Sequence, residues 1–340
     1  MQNDVILVGH GIAGAVLAEV LQQRGLRIHV FNNRREGNAS LVAAGVVNPI
    51  VFKRDIPSWR AGELLPIADT FYRSWQERYG ASFWHPLPMV KIFPTLHERD
   101  QWERVLHGTD SSPFIVQRTE FDVDQAPVSA PHGYGTVTQA AWLDVPAILA
   151  AQREELIGTG RLTEQDVLLE NIVNEPDHIR IGNVRARWLV HCTGPFSPAQ
   201  GLAPVKGETL VVRIPGLGFK NMVHRRVFIL PLGDDVYRIG ATFDWANVWT
   251  GTTVEAREEL LGMLSAFVKL PIEVLGHSYG VRPATKDRRP LLGRTGPHEA
   301  MFNGLGSRGV LLAPWCAMHL ADHLFDGTVI EAEVSCDRFS

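Results

Sequence analysis

Apolar runs of strand length alternate with helical patterns from the beginning of this chain. Asp4-Val5-Ile6-Leu7-Val8 is a short, nearly unbroken apolar run suited to a buried strand, and Ala15 to Arg24 carries good helix formers. Arg27-Ile28-His29-Val30-Phe31 follows as a second strand. From Gly62 to Tyr79, Leu65, Ala68, Phe71, Tyr72 and Trp75 recur at helical spacing, which predicts an amphipathic helix with a buried aromatic stripe. Met89 to Phe93 reads as a strand and Glu98 to Leu106 as a polar helix, inside a stretch of short segments from Pro86 to Pro131 that looks like an inserted unit. Asp144 with Pro146 marks a helix start, continued by Ala147 to Ile157.

The second half of the chain is richer in strands. Asp166 to Leu169, His178 to Ile181 and Arg187 to Cys192 are expected strands, then Val205 to Ile214, Val227 to Leu232 and Val236 to Phe243 as antiparallel ones. Gly233-Asp234-Asp235 joins the last two. Thr252 and Glu255 stand at capping-box spacing before a helix with Leu260, Leu261, Leu264 and Phe267 on its apolar side. The expected fold is α/β with an α+β part, in which nucleotide-fold segments interleave with a mainly antiparallel sheet.

The turn between the first strand and the first helix is Gly9-His10-Gly11-Ile12-Ala13-Gly14. In that setting Gly9 permits a tight turn, Gly11 lets a pyrophosphate approach the backbone, and Gly14 lets the helix pack closely on the strand. The helix N-terminus supplies free amides and partial positive charge. An ordinary strand-turn-helix is the plain alternative. An acidic residue usually ends the second strand and binds ribose; here Asn32 and Asn33 follow it. Asn hydrogen-bonds a hydroxyl without the charge assistance of a carboxylate. Arg34 and Arg35 fit either a 2′-phosphate, hence NADP, or a solvated turn. Arg187 to Cys192 runs into Thr193 and Gly194, small residues that again bring backbone near a nucleotide.

Length and charge narrow the class. At 340 residues the chain exceeds one comfortable core, so two domains are expected, possibly discontinuous. A net charge of −4 with both signs interspersed gives no footprint for nucleic acid or an anionic membrane. No signal-like segment precedes the first strand and no apolar run is long enough to span a bilayer, so a cytoplasmic location and no membrane partner are expected. Cys192, Cys316 and Cys336 fit no metal or disulfide spacing and read as reduced packing residues. His319 and His323, four apart on a helix, lack a third ligand, and no metal is expected.

Two arginines carry the remaining chemistry. Pro283 biases Arg282 toward extended backbone, so that its guanidinium projects as a fixed fork, able to hold a carboxylate through two parallel bonds or to form an ion pair between domains. Met301-Phe302-Asn303 ends a strand and enters Gly304-Leu305-Gly306-Ser307-Arg308-Gly309, followed by Val310-Leu311-Leu312-Ala313-Pro314 at the start of a helix. Such glycines allow a flat ring to approach, and amides, helix dipole and Arg308 would favour negative charge on it; a glycine-rich turn with a surface arginine is the alternative.

These loops occur in one order with Ser40-Leu41-Val42-Ala43-Ala44-Gly45, Pro204 to Glu208, Tyr237 to Thr242, and Gly280-Val281-Arg282-Pro283 with Asp287 and Pro290. The ordered set resembles the FAD-dependent D-amino-acid oxidase superfamily over nearly the whole chain. It is most similar to glycine oxidases and to the FAD domain of bifunctional tRNA wobble-uridine modifying enzymes. The resemblance implies extended FAD on a Rossmann-like domain of residues 1–85, 135–204 and 276–340, with a substrate domain of 86–134 and 205–275. It implies that Arg282 holds a substrate carboxylate and Arg308 stands near flavin and substrate. Gly45, Val46 and Val47 would flank the isoalloxazine, with Ser40, Ala43 and Ala44 leading into that loop, and Val167 would touch adenine. Asn32 replaces the usual ribose-binding acid, and Phe228 stands where a related pocket offers a tyrosine. No cysteine lies near Arg282, so FAD is expected to be non-covalent.

The expected activity is oxidation of the C–N bond of a small amine or amino acid by hydride transfer to flavin N5, with oxygen or another acceptor reoxidising the flavin. No side-chain base is assigned, since proximity and preorganised electrostatics can supply much of the rate. One rival is modification of an aminomethyl-uridine in tRNA, for which Lys53, Arg54, Arg60, Arg225 and Arg226 would have to form a basic patch. The other is a non-catalytic nucleotide-binding protein.

Overall fold

The computed structural model describes residues 2–107, 112–116, 127–196 and 199–339. The first strand, Asn3–Val8, lies parallel between Ile28–Asn32 and Val184–His191, with Val8 opposite both Phe31 and His191. Leu162–Glu164 extends this sheet beyond Ile28–Asn32, and Glu299–Asn303 pairs parallel with Val184–His191. Antiparallel strands Ile179–Ile181, Ile172–Asn174 and Leu291–Arg294 complete eight strands among the described residues. The parallel strands read as continuous apolar runs because both faces are covered. The helices Ile12–Gln23 and Gly309–Phe325 pack together on one face, joined by Ala61–Tyr79, whose Phe71, Tyr72 and Trp75 are buried as the helical spacing predicts.

A second eight-stranded sheet runs in the order Glu273–Arg282, Val205–Arg213, Val236–Gly240, Val227–Gly233, Met222–Arg225, Met89–Ile92, Tyr134–Val137 and Ile115–Val116. One face buries Leu210, Val212, Ile229 and Ile239 against Leu260, Leu264 and Phe267 of the helix Val254–Ser265 and its C-terminal end. The other face carries Thr209, Gly240, Phe228 and His224 in one cross-strand row. The parts of the inserted unit at 108–111 and 117–126 lie outside the described residues.

Three expectations shift. The strand expected over Asp166–Leu169 forms instead at Leu162–Glu164, where pairing with Ile28–Asn32 is available, and Val167 continues as irregular chain before a 3-10 turn at Leu169–Asn171. The strand expected to reach Phe243 ends at Gly240, freeing Phe243 from the ladder. The helix cap is Thr253, not Thr252, because the Thr253 hydroxyl accepts from Ala256 N at 3.3 Å and donates to buried Glu208 at 3.0 Å. Glu273–Arg282 and Tyr134–Val137 run through the expected domain boundaries.

Candidate active site

A cavity of about 420 Å³ opens where the carboxyl ends of the parallel strands face the second sheet, the place at which open α/β sheets bind ligands. Its wall contains Gly9, Gly11, Ile12, Ala13, Asn32, Asn33, Ser40, Ala43, Ala44, Gly45, Val46, Val167, Thr193, Gly194, Arg282, Gly306, Ser307, Gly309 and Val310. Residues expected in separate parts of the sequence are thus brought to one surface. Gly14, Val47, Gly304 and Arg308 are not in that wall. Val47 is buried opposite Ala141, and a Cβ on Gly304 would meet Leu291 N at 3.0 Å, so both serve packing.

Gly9 has φ +107°, and a Cβ there would lie 2.4 Å from the Cys192 carbonyl oxygen. A Cβ on Gly14 would lie 2.0 Å from the Gly9 carbonyl oxygen, so the loop and the first helix touch backbone to backbone. The helix has no side-chain cap from its own N-cap residue, Gly11. Instead Ile12 N donates to the Ser40 hydroxyl at 3.0 Å. His10 N donates to Asn32 Oδ1 at 2.9 Å, so Asn32 ties the loop to the end of the second strand. Arg35 is ion-paired with Asp166 and lies 5.6 Å from the centroid of the Phe196 ring. Its charge is therefore already matched, which weakens the case for a 2′-phosphate.

His10 is buried in this loop, with Nε2 2.8 Å from Gln152 Oε1. Burial pushes its pKa from 6.5 down to about 4, against the opposing effect of the Gln152 bond. In the unfolded chain the same ring protonates below about 6.5, so the unfolded state binds the extra proton. The stabilisation due to a neutral His10 is complete above that pH and is lost as pH falls toward 4, by on the order of 3 kcal/mol. Urea denaturation across this window should show the loss, reduced in His10→Asn; an identical pH profile in the variant would assign the titration elsewhere.

At the other end of the cavity, the Arg282 guanidinium donates from Nη1 to the Thr242 carbonyl oxygen at 3.3 Å and lies 4.5 Å from the centroid of the Phe243 ring. A Cβ on Gly207 would fall 1.9 Å from Arg282 Nη2, so this glycine leaves the space the guanidinium fills. Burial lowers the Arg282 pKa to about 10, which leaves it cationic at neutral pH. No carboxylate among the described residues forms an ion pair with it. Arg238 donates to the Ala43 carbonyl oxygen at 2.8 Å, pinning the loop that leads to Gly45. His224, also in the wall, is held neutral by burial and by Lys91, its pKa lowered to about 3.

His224, Arg238 and Phe243 escaped the sequence reading as site residues, and Arg226 entered it only in the basic patch of the RNA reading. Alternation along the strands was the available signal, but which face meets the cavity depends on register. Arg308 lies instead near Arg54, Arg288 and Arg289, whose charges and its own burial lower its pKa. Of the residues that the RNA reading requires, Arg60 is paired with Glu63 and Glu331, and Arg225 lies over the Phe267 ring. His323 Nδ1 is 2.7 Å from the Thr328 carbonyl oxygen and His319 stacks on Trp315, and no metal-ligating cluster occurs among the described residues. The cysteines Cys192, Cys316 and Cys336 are free. No helix among the described residues is long and apolar enough to cross a membrane.

A family model described as FAD dependent oxidoreductase matches residues 4–323. The chain is 24% identical over 358 residues to the tRNA 5-methylaminomethyl-2-thiouridine biosynthesis bifunctional protein MnmC of Marinobacter nauticus, covering 95% of this chain and 55% of that protein. It is 23% identical over 354 residues to the bifunctional protein ThiO/ThiG of a Nostoc species, covering 95% and 52%. The chain thus spans about half the length of the curated relatives it matches. Among solved structures, iminodiacetate oxidase from Chelativorans sp. BNC1 superposes with a TM-score of 0.79 at 19% identity, covering 99% of this chain and 98% of that one. Glycine oxidase from Geobacillus kaustophilus gives a TM-score of 0.79 at 19% identity, covering 100% and 98%. These two share the fold.

Proposed function

The chain belongs to the family of FAD-dependent oxidoreductases, and from that premise we propose that it oxidises the C–N bond of a small carboxylated amine or amino acid. The observation that carries this reading is the Arg282 guanidinium, half-buried in the cavity wall with one backbone bond and no carboxylate partner among the described residues. A desolvated cation of this kind calls for an anion, and a substrate carboxylate supplies one through two parallel bonds. Family membership sets aside the reading as a non-catalytic nucleotide-binding protein.

The wall fits the cofactor. The Gly9–Gly14 loop gives open backbone at one end, and Gly45, where a Cβ would lie 1.9 Å from the Leu143 carbonyl oxygen, keeps the Ala43–Val46 loop against the middle. Bound FAD would supply the two-electron acceptor for the hydride leaving the carbon that bears nitrogen. Arg282 fixes the carboxylate end of the substrate. Phe228 and Phe243 line the pocket beside it with apolar surface, which lowers the local polarity and strengthens the ion pair. Asp166, the acidic residue in the described wall, is occupied by Arg35, and His224 is too weakly basic to take a proton at neutral pH. The amine is therefore expected to bind neutral, with its proton lost to solvent beforehand.

This reading includes non-covalent FAD, because Cys192, the cysteine in the described wall, is buried beneath the glycine loop with its thiol pKa raised by burial. It also includes the division into an FAD-binding unit of 1–85, 135–204 and 276–340 and a substrate unit of 86–134 and 205–275, with the strand Glu273–Arg282 crossing between them. Oxygen or another acceptor, and a cytoplasmic setting, complete it. The purified protein should be yellow, and acid precipitation should release its FAD into the supernatant. An anaerobic screen of amines and amino acids should bleach the flavin with carboxylated members first. Chromophore that stays with the precipitate would refute the non-covalent attachment, and bleaching by uncarboxylated amines alone would refute the role of Arg282.

Similarity to the tRNA-modifying protein favours a second reading, in which the amine is carried on a modified uridine. It requires salt-sensitive RNA binding. The pairing of Arg60 with Glu63 and Glu331 counts against it. Flavin bleaching by modified tRNA but by no free amine would establish it in place of the first.

A further inference from the structure

Arg226 stands in the same cavity wall as Arg282. It is the single residue linking the strands Met222–Arg225 and Val227–Gly233, with φ +63°, in the left-handed region. Its guanidinium has no hydrogen bond, ion pair or ring contact among the described residues, and, after burial, its charge lowers the pKa of its neighbour Arg225, against the opposing effect of Glu98. Phe228 pairs with Gly240 across the sheet. Arg226 is two residues before Phe228, and Thr242, whose carbonyl holds Arg282, is two residues after Gly240. Both guanidiniums are therefore served from the same end of the same pair of strands, one sunk in the pocket and one exposed at its rim. A hairpin of this tightness ordinarily takes Gly or Asn at a left-handed position. An arginine held there, in a wall that already contains one unmatched cation, adds positive charge that no carboxylate among the described residues pairs with.

We propose that Arg226 binds a second carboxylate of the substrate, so that the site selects dicarboxylated amines, such as acidic amino acids or imino-dicarboxylates, over their monocarboxylated analogues. The proposal rests on the amine-oxidation reading of this cavity. Arg282 anchors the carboxylate beside the reacting carbon, and Arg226 fixes the distal one. His224 and Phe228, which line the same wall, present a neutral ring and an apolar ring to the carbon chain between the two anions. Because Arg226 is exposed, its contribution is screened by salt, whereas that of Arg282 is screened far less.

The test uses the FAD-loaded protein and reads carboxylate binding from perturbation of the flavin absorbance, with glutarate and butyrate as probes, so that turnover is not needed. Glutarate should bind roughly tenfold more tightly than butyrate at low salt, and the difference should shrink at high salt. Arg226→Gln should abolish the difference while leaving butyrate affinity and flavin content unchanged, and Arg226→Lys should restore part of it. Anaerobic flavin reduction by aspartate or iminodiacetate, set against alanine or sarcosine, should follow the same order. Equal binding of the two probes by the unaltered protein, or a preference that survives Arg226→Gln, overturns the proposal and leaves amine oxidation standing. If neither probe perturbs the flavin and no amine bleaches it, the amine-oxidation reading and this proposal fall together.

Discussion

Arg282→Ala is expected to lower kcat/KM for a carboxylated amine by about 2–5 kcal/mol, or roughly 30- to several-thousand-fold. Most of this loss is not the strength of one bond. It is the cost of placing a carboxylate in a dehydrated pocket whose matching cation has been removed. Arg282→Lys should be nearly as damaging, because the guanidinium is seated by three features that a point charge on a flexible stem does not reproduce. These are the 3.3 Å bond to the Thr242 carbonyl oxygen, the Phe243 ring 4.5 Å away, and the space above Gly207. Stopped-flow flavin reduction with an amino acid and with its decarboxylated amine separates the anchoring role from general damage, provided flavin content is unchanged. Equal rates on both substrates, or loss of FAD from the variant, would make Arg282 a structural residue and remove the main support for the amino-acid reading.

The end of the cavity formed by the Gly9–Gly14 loop was legible in the sequence because its determinants are local. Three glycines at fixed spacing, a strand before them and a helix after them all lie within one stretch of chain, and Gly14 answers to the Gly9 carbonyl five residues away, although Gly9 and Gly11 meet Cys192 and Ser40 from distant segments. The end around Arg282 was less legible. Arg282 stands out through Pro283, but His224, Arg226 and Phe243 reach the cavity only through the register of the second sheet and the early end of the strand at Gly240. Arg308 shows the converse problem. Residues Gly306–Arg308 form a 3-10 turn, in which positions three apart eclipse one another. Gly306 and Gly309 therefore share the cavity side, and Arg308 is rotated away from it toward Arg54, Arg288 and Arg289. Glycine spacing alone does not report that rotation.

The same backbone-to-backbone contact that made the loop legible makes it vulnerable. Gly14→Ala is expected to weaken FAD binding by about 1–3 kcal/mol, roughly 5- to 150-fold, the usual cost of forcing extra volume into a packed site. Alanine is otherwise the better helix former by nearly 1 kcal/mol, so without the steric conflict the change would stabilise the helix Ile12–Gln23. The conflict decides the sign. The new Cβ would stand 2.0 Å from the Gly9 carbonyl oxygen and 3.3 Å from Cys192 Cβ. Gly9 has no room to retreat, since a Cβ on its own α-carbon would already be 2.4 Å from the Cys192 carbonyl oxygen. The loop must then move outward, into the part of the cavity where the pyrophosphate is expected to lie. Gly158→Ala is the control, because that glycine ends the helix Val145–Gly158 with open space around it. Titration of both apoproteins with FAD, followed by quenching of flavin fluorescence, should show the loss in Gly14→Ala alone, with urea midpoints reporting fold stability separately. Unchanged FAD affinity in Gly14→Ala would mean that this loop does not seat the cofactor, and the glycine pattern would revert to an ordinary strand-turn-helix.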